Sequence, residues 1–148
     1  IHTDEIRLLV PGGHAFAGRE SVNADEVAGQ PLLLPKSGTT RTRLNAWFES
    51  VEDELQISME LDSTEMIKQF VKAGLGISFM AASNCQQEVN SGAVTTVSLA
   101  PEPMVRHLGL IYRKDKSLSK AALGFIQATI EHAASNHPGS SVPHIVNV

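Results

Sequence analysis

Ser37, Gly38, Thr39 and Thr40 set three hydroxyls around a glycine. They lie between the apolar run Leu32-Leu33-Leu34 and a segment carrying Leu44, Trp47, Phe48 and Val51 at helical spacing. The chemistry such a stretch offers is capture of an anion. A helix start leaves backbone N–H groups without intrahelical partners, and hydroxyls add further donors beside them. Lys36 and Arg41 flank the stretch with positive charge. Arg41 in a first helical turn opposes the helix dipole slightly, a misfit that a bound negative group relieves. Ser63 and Thr64 repeat the arrangement one unit later. Two hydroxyl-bearing helix starts on one sheet edge suggest a shared pocket. Ser and Thr are also ordinary helix caps, and Thr39 or Thr40 could serve only as one.

Signatures of catalysis are sparse. The chain has neither a G-x-S-x-G nucleophile turn nor a G-x-x-x-x-G-K-[ST] phosphate loop. Gly74 and Gly76 in "AGLGISF" run from helix to strand, the wrong order for a dinucleotide fingerprint. They read instead as a helix cap and a tight turn. Glu49, Glu52, Asp53 and Glu54 form a solvated acidic run rather than a placed pair. The six histidines contain no i,i+4 pair, so no zinc site is expected. Cys85 is the one cysteine, which excludes an internal disulfide and reads as a small buried hydrophobe. No cofactor or metal is expected.

These residues need a frame. Ile6–Val10, Pro31–Leu34, Gln56–Leu61, Ile77–Met80, Val94–Leu99 and His107–Tyr112 read as strands. In Gln56–Leu61, Ile57, Met59 and Leu61 alternate onto one face. Helices are predicted over Asn23–Gly29, along the stripe Leu44, Trp47, Phe48 and Val51, after Asp62, over Ser83–Asn90 and over Ser119–Ala133. Asn23, Asp62 and Ser119 are the expected N-caps. Met66, Ile67, Phe70 and Val71 should bury one side of the third helix, and Ala122, Leu123, Ile126 and Ile130 one side of the last. Strands alternating with helices predict an α/β fold around a mainly parallel sheet. In such a sheet ligands bind beyond the carboxyl ends of the strands, where Ser37–Thr40 lies.

The 148 residues suffice for one compact domain or two small lobes. A net charge of −4 gives no positive excess for neutralising phosphates, so this chain by itself is a poor nucleic-acid binder. No apolar run approaches the roughly 20 residues of a membrane span, and the start lacks a signal-peptide pattern. The expectation is a cytoplasmic protein without a membrane partner.

Four segments in order resemble the effector-binding domain of LysR-type transcriptional regulators. "LLVPGGHAFAGRESVNADEVAGQPLLL" (Leu8–Leu34) resembles the family's strand, turn, short helix and next strand. "SGTTRTRLNAWF" (Ser37–Phe48) resembles its effector loop and following helix. "MELDSTEMIKQFVKAGLGISFM" (Met59–Met80) is the most specific, with its Ser, helix and Val-x-x-Gly-Leu-Gly-Ile run. "RHLGLIYRKDKSLSKAALGFI" (Arg106–Ile126) resembles the returning strand and last helix. The family's usual His-Pro is His14-Ala15 here.

The resemblance implies a fold of the type II periplasmic-binding-protein kind, with two Rossmann-like α/β lobes and two crossovers. The second lobe is expected complete over residues 18–99. The first is expected partial, from residues 1–17 and 100–134, with 135–148 a loose tail. It further implies a small effector, anion or carboxylate, held between the lobes, and a homo-oligomer. DNA would be reached only through a winged helix-turn-helix that this chain lacks, as though it began inside the domain. By position, Ser37, Gly38, Thr39 and Thr40 form the effector loop, with Ser63 and Thr64 as neighbours. Thr39 is the foremost contact. A transport-type solute-binding protein and an enzyme on the same two-lobe fold remain as alternatives.

Overall fold

The computed structural model describes residues 2–112 and 117–136. The elements follow as β1 (His2–Pro11), β2 (Ser21–Val22), α1 (Ala24–Ala28), β3 (Pro31–Pro35), α2 (Thr39–Trp47), β4 (Gln56–Leu61) and α3 (Thr64–Lys72). Then come β5 (Ser78–Ala81), α4 (Gln86–Asn90), β6 (Val94–Leu99), β7 (Met104–Leu108) and α5 (Lys120–Asn136). The tail expected from Ser135 is helical through Asn136, and the remainder of it lies outside the described residues.

Two compact units are present. One is Glu5–Met104, and the other takes the described residues before Glu5 and after Met104. The chain therefore passes between them within β1 and within β7. The strand expected over Ile6–Val10 lies in the larger unit, where the sequence reading put it in the smaller lobe. The reason is burial: Leu8, Leu9 and Val10 are wholly enclosed, with β5 on one side and β6 on the other. The second passage, at Met104, falls inside the Pro-rich stretch Ala100–Val105.

β1 also corrects the expected sheet. It runs antiparallel to both β5 and β6. The parallel pairs are β2 with β6 and β3 with β4, and a parallel bridge joins Leu32 to Ile77. Parallel pairing needs a crossover connection, and α2 supplies one between β3 and β4. No single helix connects β1 to β5 or to β6.

Alternation along the strands sends side chains to two cores. Leu8, Val10, Leu32, Leu34 and Phe79 join Leu44 and Phe48 on one side. Leu9, Leu33 and Met80 join Ile67, Val71 and the buried Cys85 on the other. The helical stripe Leu44, Trp47, Phe48 and Val51 reaches the first core, although α2 stops at Trp47 and a 3₁₀ stretch (Glu49–Glu54) carries Val51. Trp47 is half-buried, and its indole N–H donates to the Ala100 carbonyl at 2.9 Å.

β4 departs from the simple alternation. Leu32 faces Ile57 but Leu33 faces Met59, so one extra β4 residue bulges out. Ile57 and Met59 stay about two-fifths exposed, as on an edge strand. In α5, which Ser119 caps by accepting from the Ala122 N–H at 3.1 Å, Ile126 and Ile130 are half-buried, whereas Leu123, expected inward, is exposed. β7 begins and ends earlier than the strand expected over His107–Tyr112.

Candidate functional site

β3 and β4 are parallel neighbours, so their carboxyl ends leave the sheet together. Pro35 lies opposite Leu61, and the Lys36 N–H donates to the Leu61 carbonyl at 3.1 Å. The chain then turns through Ser37 and Gly38 into α2, and through Asp62 and Ser63 into α3. All six candidate residues therefore sit at one edge, in two adjacent helix starts. Ser37, Gly38, Thr39 and Thr64 are exposed, while Thr40 and Ser63 are half-buried.

The two starts differ in chemistry. α3 is capped by Ser63, whose hydroxyl accepts from the Met66 N–H at 3.3 Å. Ser63 thus takes the place expected for Asp62. Such a cap contributes about 1 kcal/mol. The N-cap of α2 is Gly38, and it offers no side chain. Its φ of 98° is a conformation open to glycine and strained for other residues. Neither Thr39 nor Thr40 caps the helix, against the expectation, because both already lie within it. The first intrahelical bond runs from the Thr42 N–H to the Gly38 carbonyl at 3.1 Å. The backbone N–H groups of Thr39, Thr40 and Arg41 precede it and lack i−4 acceptors within the helix.

Arg41 is the main correction. It is not a spare cation of an anion cradle. Its Nη1 donates to the Pro35 carbonyl and pairs with Glu60 Oε1, both at 2.9 Å, and its Nε donates to Asn45 Oδ1 at 3.0 Å. The side chain is only 16% exposed. Its misfit with the helix dipole is answered inside the protein by Glu60. The clue in the sequence was that same misfit, an Arg in a first turn without an acid beside it, yet a partner 19 positions away on β4 is not a local signal. A groove of about 630 Å³ lies beyond Arg41, along Asn45, Phe48, Leu55 and Ile57, and its lining includes none of the six candidates.

α3 holds its position through a buried lysine that periodicity did not indicate. Lys68 Nζ meets Glu65 and Glu88, each at 2.9 Å, and donates to the Asn84 carbonyl at 3.2 Å. Its three donors have three acceptors. Met66, expected inward, is about half exposed. The lysine's hydrogen bond, before any other cause, holds the carboxyls of Glu88 and Glu65 below their ordinary value of 4.5. Lys68 is raised above 10.5 by Glu88 and then Glu65.

A carboxyl lowered by folding stabilises the fold above its unfolded value and loses that contribution as pH falls through its folded value. The lysine's contribution persists until pH rises past the ordinary lysine range. The cluster's contribution is therefore fully present and independent of pH around neutrality, and it is lost in acid. Urea midpoints measured from pH 7 to pH 3 should fall more steeply below about 4.5 for the wild type than for Lys68→Met. Parallel curves for the two proteins would contradict this.

The geometry meets its relatives here. The profile of the LysR substrate binding domain matches residues 1–134. The chain belongs to this family. A LysR-family relative, the HTH-type transcriptional regulator CbbR of Sinorhizobium medicae, is 30% identical over 142 residues, covering 95% of this chain and 45% of its own length. The chain thus spans somewhat less than half of that relative. HinK, a LysR family transcriptional regulator from Pseudomonas aeruginosa, superposes with a TM-score of 0.74 at 25% identity, over 91% of this chain and 46% of its own. The CcmR regulatory domain of Synechocystis PCC6803, solved in complex with 2-PG, gives 0.73 at 20% identity, over 88% and 64%. The LysR substrate-binding fold, a type II periplasmic-binding-protein-like α/β arrangement, is thereby established for this chain. Among the described residues no helix is long and apolar enough to cross a membrane.

Proposed function

We propose that this chain is the effector-sensing part of a cytoplasmic LysR-type transcriptional regulator, and that it takes a small anion or carboxylate at the start of α2. The observation that carries the reading is the uncapped helix start behind Gly38, with Ser37, Thr39 and Thr40 around it and the start of α3 next to it. Backbone N–H groups that no side chain engages are the donors an oxyanion needs, and the helix dipole favours negative charge there. Thr39 supplies the foremost hydroxyl, Thr40 and Ser37 the flanking ones, and Thr64 the approach from α3. Ser63 acts chiefly as the cap that orients α3. That the CcmR domain was solved with 2-PG supports an anionic effector.

The reading requires no chemistry on the effector, so the chain is not an enzyme. Its output is a coupling free energy. An effector shifts the regulator's states only by its difference in affinity for them, typically about 1–3 kcal/mol. DNA contact and assembly into a homo-oligomer belong to the whole regulator.

Thermal unfolding with 2-PG and with sulfate tests this. A ligand at about 100 times its dissociation constant stabilises by roughly 2.7 kcal/mol. Thr39→Ala should weaken 2-PG by about 10- to 100-fold, the worth of one hydrogen bond to a charged group. Stabilisation that survives Thr39→Ala unchanged would move the ligand elsewhere, and no stabilisation by either anion would overturn the reading.

A further inference from the structure

We infer that Arg41 is the positioning residue of this effector loop, setting its shape without touching the ligand; the inference rests on the function proposed above. The loop Lys36–Gly38 has two feet. At one, the Lys36 N–H is bound to the Leu61 carbonyl. At the other, Arg41 reaches back over the loop to the Pro35 carbonyl, the residue just before it. The same guanidinium grips Glu60, the neighbour of Leu61. One planar group thus fastens the last residue of β3, the first turn of α2 and the end of β4, from which α3 departs. It sets how far the hydroxyls of Ser37, Thr39 and Thr40 stand from Ser63 and Thr64.

Arginine suits this task and lysine does not. The guanidinium presents donors in a fixed fork, and here Nε and Nη1 serve three acceptors at once. An ammonium is a point charge that cannot hold the same three groups in one plane. Moving the guanidinium to the ligand would strand Glu60 and the Pro35 carbonyl, so its Nε and Nη1 donors stay committed to the protein. Gly38, with φ at 98°, gives the loop its path, and Arg41 selects one version of that path.

Hydrogen exchange and calorimetry with 2-PG, on the wild type, Arg41→Lys and Glu60→Gln, test the inference. In Arg41→Lys, the hydrogen-bonded amides at the feet of the loop, those of Lys36, Thr42, Met66 and Ile67, should exchange about tenfold faster, with β6 unchanged. The affinity for 2-PG should fall about tenfold although every proposed contact remains. Glu60→Gln leaves the bond to Pro35 and should show both effects more weakly. Exchange that is unchanged, or that quickens equally throughout the larger unit, would overturn the positioning role, as would faster loop exchange with unaltered affinity. A wild type that does not bind 2-PG or sulfate would instead remove the proposed function, and with it the ligand that Arg41 is held to serve.

Discussion

Phe79→Ala is expected to destabilise the larger unit by about 3–5 kcal/mol, the usual cost of truncating an enclosed phenylalanine. Phe79 is 2% exposed and lies on β5 opposite Leu8 of β1. Its ring meets those of Trp47 and Phe48 edge-on, with centroids 5.7 and 5.6 Å away. Trp47 and Phe48 close α2 onto the sheet, so the cavity would open beneath the helix that starts at Gly38. Whole domains are stable by only about 5–15 kcal/mol, so this single change removes a large part of the total. Urea unfolding followed by tryptophan fluorescence reports it, since Trp47 is the one tryptophan. Phe125→Ala, at a ring 65% exposed on α5, is the matched control and should stay within about 0.5 kcal/mol. A loss below about 1 kcal/mol for Phe79→Ala would mean that β5 does not pack as described.

Gly76→Ala should be costly for the opposite reason, too much matter in a filled space. A Cβ at Gly76 would stand 2.7 Å from the Pro31 carbonyl oxygen and 3.0 Å from Leu33 Cγ. The first neighbour is backbone and cannot swing aside. That carbonyl accepts the Ile77 N–H at 2.9 Å, and the Ile77 carbonyl accepts the Leu33 N–H at 2.9 Å, so the clash falls on the junction of β3 and β5. Overpacking a closed site costs about 1–3 kcal/mol, and the upper half of that range is expected here. Because β3 leads directly to Ser37, the variant should also bind 2-PG less well than its stability alone predicts. A variant with the wild-type urea midpoint would show that the two strands are less tightly joined than these distances state.

Gly76 shows how far local reasoning reaches. From the sequence alone it reads as a residue that eases a tight turn. Its actual role is the close approach of two strands 40-odd positions apart in order of contact, which no turn rule contains. Gly74 behaved differently. It reads as a helix terminator and is one, with φ at 78° and its N–H on the Val71 carbonyl while the Leu75 N–H donates to the Phe70 carbonyl. Both donors and acceptors of that cap lie within six residues, so the sequence carries the whole device. Asn23 is similar: the expected N-cap is the N-cap, and its N–H is held by Glu26, three residues on.

The candidate loop divides along the same line. Its place at a strand end and helix start was legible, because an apolar run, a glycine and an amphipathic stripe are each local. Its uncapped start, the role of Ser63 instead of Asp62, and the occupation of Arg41 were not legible. Each depends on which groups from other elements arrive nearby. Arg41 is the clearest instance, since a first-turn arginine reads as available charge until Glu60 and the Pro35 carbonyl are seen around it.

By itself, then, the sequence determined the alternation of strands and helices, the helix stops at Gly29 and Gly74, and the motifs that place the chain in the LysR substrate-binding family. The first two rest on periodicity and backbone preference, which act over a few residues, and the family motifs rest on resemblance to known sequences. Only the tertiary structure decided that β1 lies antiparallel inside the larger unit, that β4 bulges and stays at an edge, and that Lys68 and Arg41 are consumed in ion pairs. Strand pairing and charge neutralisation join groups far apart in the chain. The free energy that selects one partner over another exists only once the elements are packed together.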